Sequence, residues 1–203
     1  MVKRIPIIFT VLVLLFAGSV NLFSQDVIMG SAETIKPGNL KLGFFPMVLL
    51  GKNGGNSISG TAGRFGFALN PKTDIEGKVA FLKDLRYLGA DLEFWVVKNR
   101  NINASVSVGG HLTQIEGETD SSGIDTTILI SSKPRNNLEL CLGFKLAFDS
   151  KSNYEYSYTL MHLVPGIEYK INKDLDFEAE FGIALNDNTR SYISAGLAFY
   201  FQL

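Results

Sequence analysis

The chain has 203 residues, 46% of them hydrophobic, with 19 basic against 20 acidic residues and a formal net charge of −1. That balance offers no basic patch for nucleic acid, and the length suits one domain. The single cysteine, Cys141, excludes an internal disulfide and reads as a small buried side chain.

At the amino terminus, Lys3 and Arg4 precede an apolar run from Ile5 to Gly18, then the more polar SVNLFSQ. This layout predicts a secretory signal peptide over residues 1–24, cleaved after Ser19 or Ser24. The run is short for a helical membrane span. No cysteine follows it, which argues against a lipid-anchored lipoprotein. Residues 25–38 then form a short N-terminal segment, and 39–203 the folded body.

From there on the apolar period is two, not 3.6, which predicts strands. Weaker alternations run near 39–50, 60–70, 73–83 and 87–98. Over 101–113, Ile102, Ala104, Val106, Val108 and Leu112 oppose Asn103, Ser105, Ser107, Gly109 and His111. The stretch 124–132 is the least certain. Over 138–148, Leu138, Leu140, Leu142, Phe144, Leu146 and Phe148 oppose Glu139, Cys141, Gly143 and Lys145. Over 161–170, Met161, Leu163, Pro165, Ile167 and Tyr169 oppose His162, Gly166, Glu168 and Lys170. Over 174–186, Leu175, Phe177, Ala179, Phe181, Ile183 and Leu185 oppose Asp176, Glu178, Glu180 and Gly182. The last segment, 189–203, sets Ile193, Ala195, Leu197, Phe199, Phe201 and Leu203 on one face. The count is about ten strands, or eight if 124–132 or another segment is not one.

Short turns at 70–73, 98–101, 132–136 and 172–174 alternate with generally longer connections at 51–58, 83–87, 114–123, 149–155 and 186–190. Membrane barrels show this asymmetry, with tight periplasmic turns and longer external loops. The polar parity carries Lys41, Arg64, Lys78, Lys145 and Lys170 with Glu76, Asp91, Glu93, Glu139, Glu168, Asp176, Glu178 and Glu180. It also carries Gly43, Gly66, Gly89, Gly109, Gly143, Gly166, Gly182 and Gly196, as a crowded lumen would require. Gly63, Gly77 and Gly110 fall on the apolar parity. The same alternation fits a secreted, soluble lipocalin-like barrel with an apolar core and an apolar ligand. The export signal, the last strand and the loop asymmetry favour the membrane. Pro46 and Pro165 lie inside strands and call for bulges or rim positions.

Ser194, Gly196, Phe199 and Phe201 resemble the carboxyl-terminal assembly signal of outer-membrane barrels, although Gln202 and Leu203 stand where many such proteins end in Phe. The chain as a whole resembles small outer-membrane β-barrel proteins of Gram-negative bacteria, the outer membrane protein beta-barrel domain family. The resemblance implies an all-β, antiparallel up-and-down transmembrane β-barrel in the bacterial outer membrane. Residues 25–38 would lie in the periplasm, outer-membrane lipids would surround the barrel, and the barrel-assembly machinery would recognise its last strand.

Candidate chemistry is sparse. His111 and Thr113, with Glu116 or Glu139 as the carboxylate, loosely resemble the His and hydroxyl pair of a lipid A deacylase, which gives a third reading as a lipid-modifying enzyme. His162 has no serine or aspartate at a telling spacing. Asp176, Glu178 and Glu180 suggest a cation site, but alternate strand positions stand about 6.6 Å apart, wide for one ion. We therefore expect ion pairs across a plugged lumen, with no catalytic, cofactor or metal site. The expected role is structural or surface-interacting, with 114–123 and 149–155 as recognition loops.

Overall fold

The computed structural model describes residues 32–52, 55–83, 85–99, 101–115, 119–151 and 157–203. The expected signal peptide lies outside the described residues. Ten strands follow one another: β1 Asn39–Leu49, β2 Ile58–Asn70, β3 Thr73–Leu82, β4 Leu85–Lys98, β5 Ile102–Ile115, β6 Ser121–Arg135, β7 Leu138–Lys151, β8 Ser157–Asn172, β9 Leu175–Ala184 and β10 Tyr192–Gln202. Each pairs antiparallel with its sequence neighbours, and β10 closes on β1, so the sheet has no edge. Closure satisfies every strand from both sides, which a membrane demands. The count is ten, and the weakly patterned 124–132 lies within the 15-residue β6.

The register settles which face is inside. Residues opposite one another in the ladders share a face. Lys41, Gly66 and Glu76 align inward; Leu42, Phe65 and Gly77 align outward. The outward parity is the apolar one. Leu142 is 47% exposed, Ile193 51% and Ile124 65%, while Lys41, Glu76 and Glu178 are buried. Among the described strand residues, the only charges on outward positions are Arg86 and Arg135, each within two residues of a strand end. A soluble barrel would turn these faces the other way, so the lipocalin-like alternative is overturned. Strands of 10 to 16 residues also meet the 9–11 needed to cross a bilayer when tilted.

Turns of two or three residues lie at the end that carries both the start of β1 and the end of β10; longer connections, apart from 83–84, lie at the other. An aromatic belt of Phe67, Phe94, Tyr169, Phe177, Phe199 and Phe201 stands outward near the turn end. Such girdles mark the headgroup level.

Three expectations change. The prolines need no bulge. Pro46 keeps its register with β2, and β1–β10 pairing resumes beyond it unshifted. Pro165 likewise pairs with Leu142, and its gap on the β9 side shifts nothing. At each proline two successive ladder pairs are missing, on one side only. The register shifts fall instead near the turns, at Ala68/Asn70, Trp95/Val97, Ser132/Arg135 and Lys170/Asn172. The turn expected at 132–136 is mostly strand, with β6 running to Arg135. Finally, β5 reaches Ile115, β6 starts at Ser121 and β7 ends at Lys151, so much of the two expected loops is strand.

The described residues before β1 fold into the turn-end mouth. Ala32, Thr34 and Ile35 are buried, the Ile35 N–H donates to Asp74 Oδ2 at 2.7 Å, and Glu33 pairs with Lys133. Gly38 has φ 81°, a left-handed turn suited to glycine, and its carbonyl accepts from the Leu203 N–H at 2.8 Å.

Candidate functional site in the barrel lumen

The inward parity of ten strands converges on one axis, and what fills it changes along that axis. Toward the loop end the filling is apolar on the side of β1–β4, β8 and β10: Phe45, Met47, Leu49, Ala62, Ala80, Leu82, Leu85, Tyr87, Val164 and Tyr192 form one buried cluster. Strand β1 supplies three of these because its second half, FFPMVL, is apolar on both faces. Glycines make room. A Cβ on Gly182 would lie 1.9 Å from the Tyr192 ring, and one on Gly196 2.0 Å from the Phe44 carbonyl oxygen.

Toward the turn end the filling is ionic. Lys41 Nζ lies 2.9 Å from Glu178 and 3.9 Å from Glu76. Arg64 pairs with Glu76 and lies 3.3 Å from Glu178. Two cations and two carboxylates, from β1, β2, β3 and β9, thus form a neutral ring across the lumen. Burial is tolerable only because each charge meets its opposite. The space between this ring and Tyr87, bounded by Phe45, Cys141, Gly166 and Ser194, is a cavity of about 20 Å³. That is room for one water molecule.

A second ionic group hangs from β5, β6 and β7. His111 Nδ1 lies 2.9 Å from Asp125 and Nε2 3.0 Å from Asp149, with the side chain wholly enclosed. Both ring nitrogens face carboxylates, so both donate when the aspartates are ionised, and the ring is then an imidazolium. Lys145 stands 3.3 Å from the other Asp125 oxygen, Lys78 pairs with Asp91, and Tyr87 stacks on His111 at 5.3 Å.

The expected carboxylates of His111 are therefore not its partners. Glu139 bonds to Ser131 and pairs with Lys133, while Glu116 lies outside the described residues. Thr113 is buried on the same face of β5. His162 lies with Nε2 3.0 Å from the Arg190 carbonyl, which it anchors, and packs edge-on against Tyr192. Asp176, Glu178 and Glu180 do share the inner face of β9, but Glu178 is held by cations. No group of metal-ligating side chains occurs among the described residues. Cys141 is a free, buried thiol facing the lumen. The pairs Asp125–His111 and Asp149–His111 escape sequence reasoning because partners 14 and 38 residues apart meet only through strand register.

No protein-family model matches the chain, and no curated protein matches it. Solved structures do. An outer membrane channel from Pseudomonas putida F1 superposes with a TM-score of 0.58 at 5% identity, over 87% of this chain and 100% of that one. The outer membrane protease OmpT from Escherichia coli gives 0.47 at 11%, over 84% and 100%. The KdgM porin gives 0.46 at 10%, over 79% and 99%. At 5% identity the likeness to the Pseudomonas putida F1 channel speaks for the fold alone. Closed ten-strand topology, apolar exterior, charged interior and this structural likeness agree: in fold the chain is an outer-membrane β-barrel protein.

Proposed function

We propose that the protein is a structural or surface-interaction barrel of the bacterial outer membrane, closed to solutes and without catalysis. What supports this reading is the set of side chains that reach into the lumen. The Lys41–Arg64–Glu76–Glu178 ring and the Phe45–Tyr87–Tyr192 cluster lie in series, with a one-water cavity between them. A barrel of ten strands is close to the size that side chains fill. His111, the best candidate for catalysis, is enclosed within the lumen, whereas membrane lipid reaches only the outside wall. Outer-membrane lipids surround that wall, and the barrel-assembly machinery engages β10, whose Ser194, Gly196, Phe199 and Phe201 carry the assembly pattern. An extracellular ligand would meet the connections around 114–123 and 149–155.

The test is fractionation with a lipid A hydrolysis assay. The protein is expected in outer membranes, resistant to carbonate, with heat-modifiable migration and no hydrolysis. Recovery in the soluble periplasm overturns the location. Hydrolysis that disappears in His111→Ala overturns the non-enzymatic reading.

A further inference from the structure

The outer wall of β2–β5 carries a dent. The register stacks its outward side chains in rows. Val79, Leu88 and Leu112 form one row; Gly77, Ala90 and Gly110 form the next toward mid-strand; Ile75, Leu92 and Val108 form the third. Gly77 lies beneath the Phe65 ring, which a Cβ there would meet at 2.1 Å, so the open floor is Ala90 and Gly110. Between rows of exposed or half-buried leucine, valine and isoleucine they leave an apolar trough. Its volume is about 510 Å³, and Phe65 and Phe67 wall one side.

At the loop-end rim the trough meets a second recess of about 300 Å³, which shares Leu88 and Leu112 with it. The rim recess is lined by Phe81, Arg86, Gln114 and Asp120. Arg86 and Gln114 are cross-strand partners on the outward face, and Phe81 opposes Arg86 from β3. Arg86 is the one described charge on an outward strand position at this end; among the described residues it forms no ion pair, although Asp120 lines the same recess. Exposed Lys83 stands in the same hairpin. The Asp120 carboxylate is partly occupied by Gln114, which donates to it at 3.3 Å.

A guanidinium at headgroup level above a groove for hydrocarbon is complementary to one kind of molecule. We propose that this face binds a membrane lipid with a phosphate-bearing headgroup, its phosphate at Arg86 and one acyl chain in the trough over Ala90 and Gly110. Free phosphate would meet only the rim and gain nothing from the trough. The inference rests on the lipid-facing reading of the outer wall.

Native mass spectrometry of the full chain folded in nonionic micelles, titrated with lipid A and separately with inorganic phosphate, tests it. One lipid A should be retained per barrel. Arg86→Gln should weaken retention roughly tenfold or more, as loss of a charge-assisted hydrogen bond does. Gly110→Leu should weaken it comparably by filling the trough; a Cβ there meets nothing nearer than 3.6 Å, so the barrel itself tolerates the change. Lys173→Gln, at the other rim, should change nothing. Retention unaltered by both Arg86→Gln and Gly110→Leu, or matched by phosphate alone, overturns the proposal. Heat-modifiable migration, scored on the same samples, separates this failure from failure of the membrane reading.

Discussion

Glu178 is the keystone of the lumen ring, and replacing it by glutamine asks whether the ring holds the barrel shut. The substitution keeps the shape and removes one charge. In the native ring Glu178 meets Lys41 at 2.9 Å and Arg64 at 3.3 Å, with both ends of the Lys41 pair only 5% exposed. In Glu178→Gln two cations share the Glu76 carboxylate, and Lys41 retains only the 3.9 Å approach to it. Breaking a buried pair on one side costs about 3–5 kcal/mol, whereas a solvated pair is worth at most about 1 kcal/mol. The magnitude therefore reports whether the lumen is dry. Lys41→Met/Glu178→Gln leaves the Arg64–Glu76 pair intact and should recover most of the loss. The assay is urea unfolding in lipid vesicles, followed by the heat-modifiable gel shift. A single-variant loss under about 1 kcal/mol, or a double variant no better than the single, would refute a desolvated ring.

Leu142→Arg and Ile183→Arg, on the lipid face, should each destabilise the barrel by about 2–4 kcal/mol at the bilayer midplane, measured by the same unfolding in vesicles. Gly182→Leu and Gly196→Leu should block assembly, because a Cβ alone would lie 1.9 Å from Tyr192 and 2.0 Å from the Phe44 carbonyl; pulse-chase into the heat-modifiable form checks this. His111→Ala should destabilise the barrel, since it strips Asp125 and Asp149 of a shared donor at 2.9 and 3.0 Å; His111→Asn, with one amide donor group, should fall between.

The strands were readable because each faces lipid on one side and a polar lumen on the other, which writes period two into 138–148 and 174–186. Where that contrast fades, so does the signal. The second half of β1 is apolar inside and out. The ends of β5, β6 and β7 extend beyond the apolar belt as polar strand, so Ser121–Gly123, paired with His111–Thr113 and Asp149–Lys151, reads as loop. The polar parity announced Lys41, Arg64, Glu76 and Glu178 as lumen charges of both signs. Which cation meets which carboxylate depends on β1 lying beside β10 and on strand stagger, and no local pattern encodes either. The prolines misled for the same reason: a ladder can drop two successive pairs without shifting register, and only pairing reveals it.

Single-channel recording in planar bilayers tests the closed lumen most directly. With the full chain inserted, the membrane should show no stable conductance step, because a one-water cavity between an ion-pair ring and an aromatic cluster gives ions no hydrated path. Steady, reproducible steps from the wild-type protein would contradict the account.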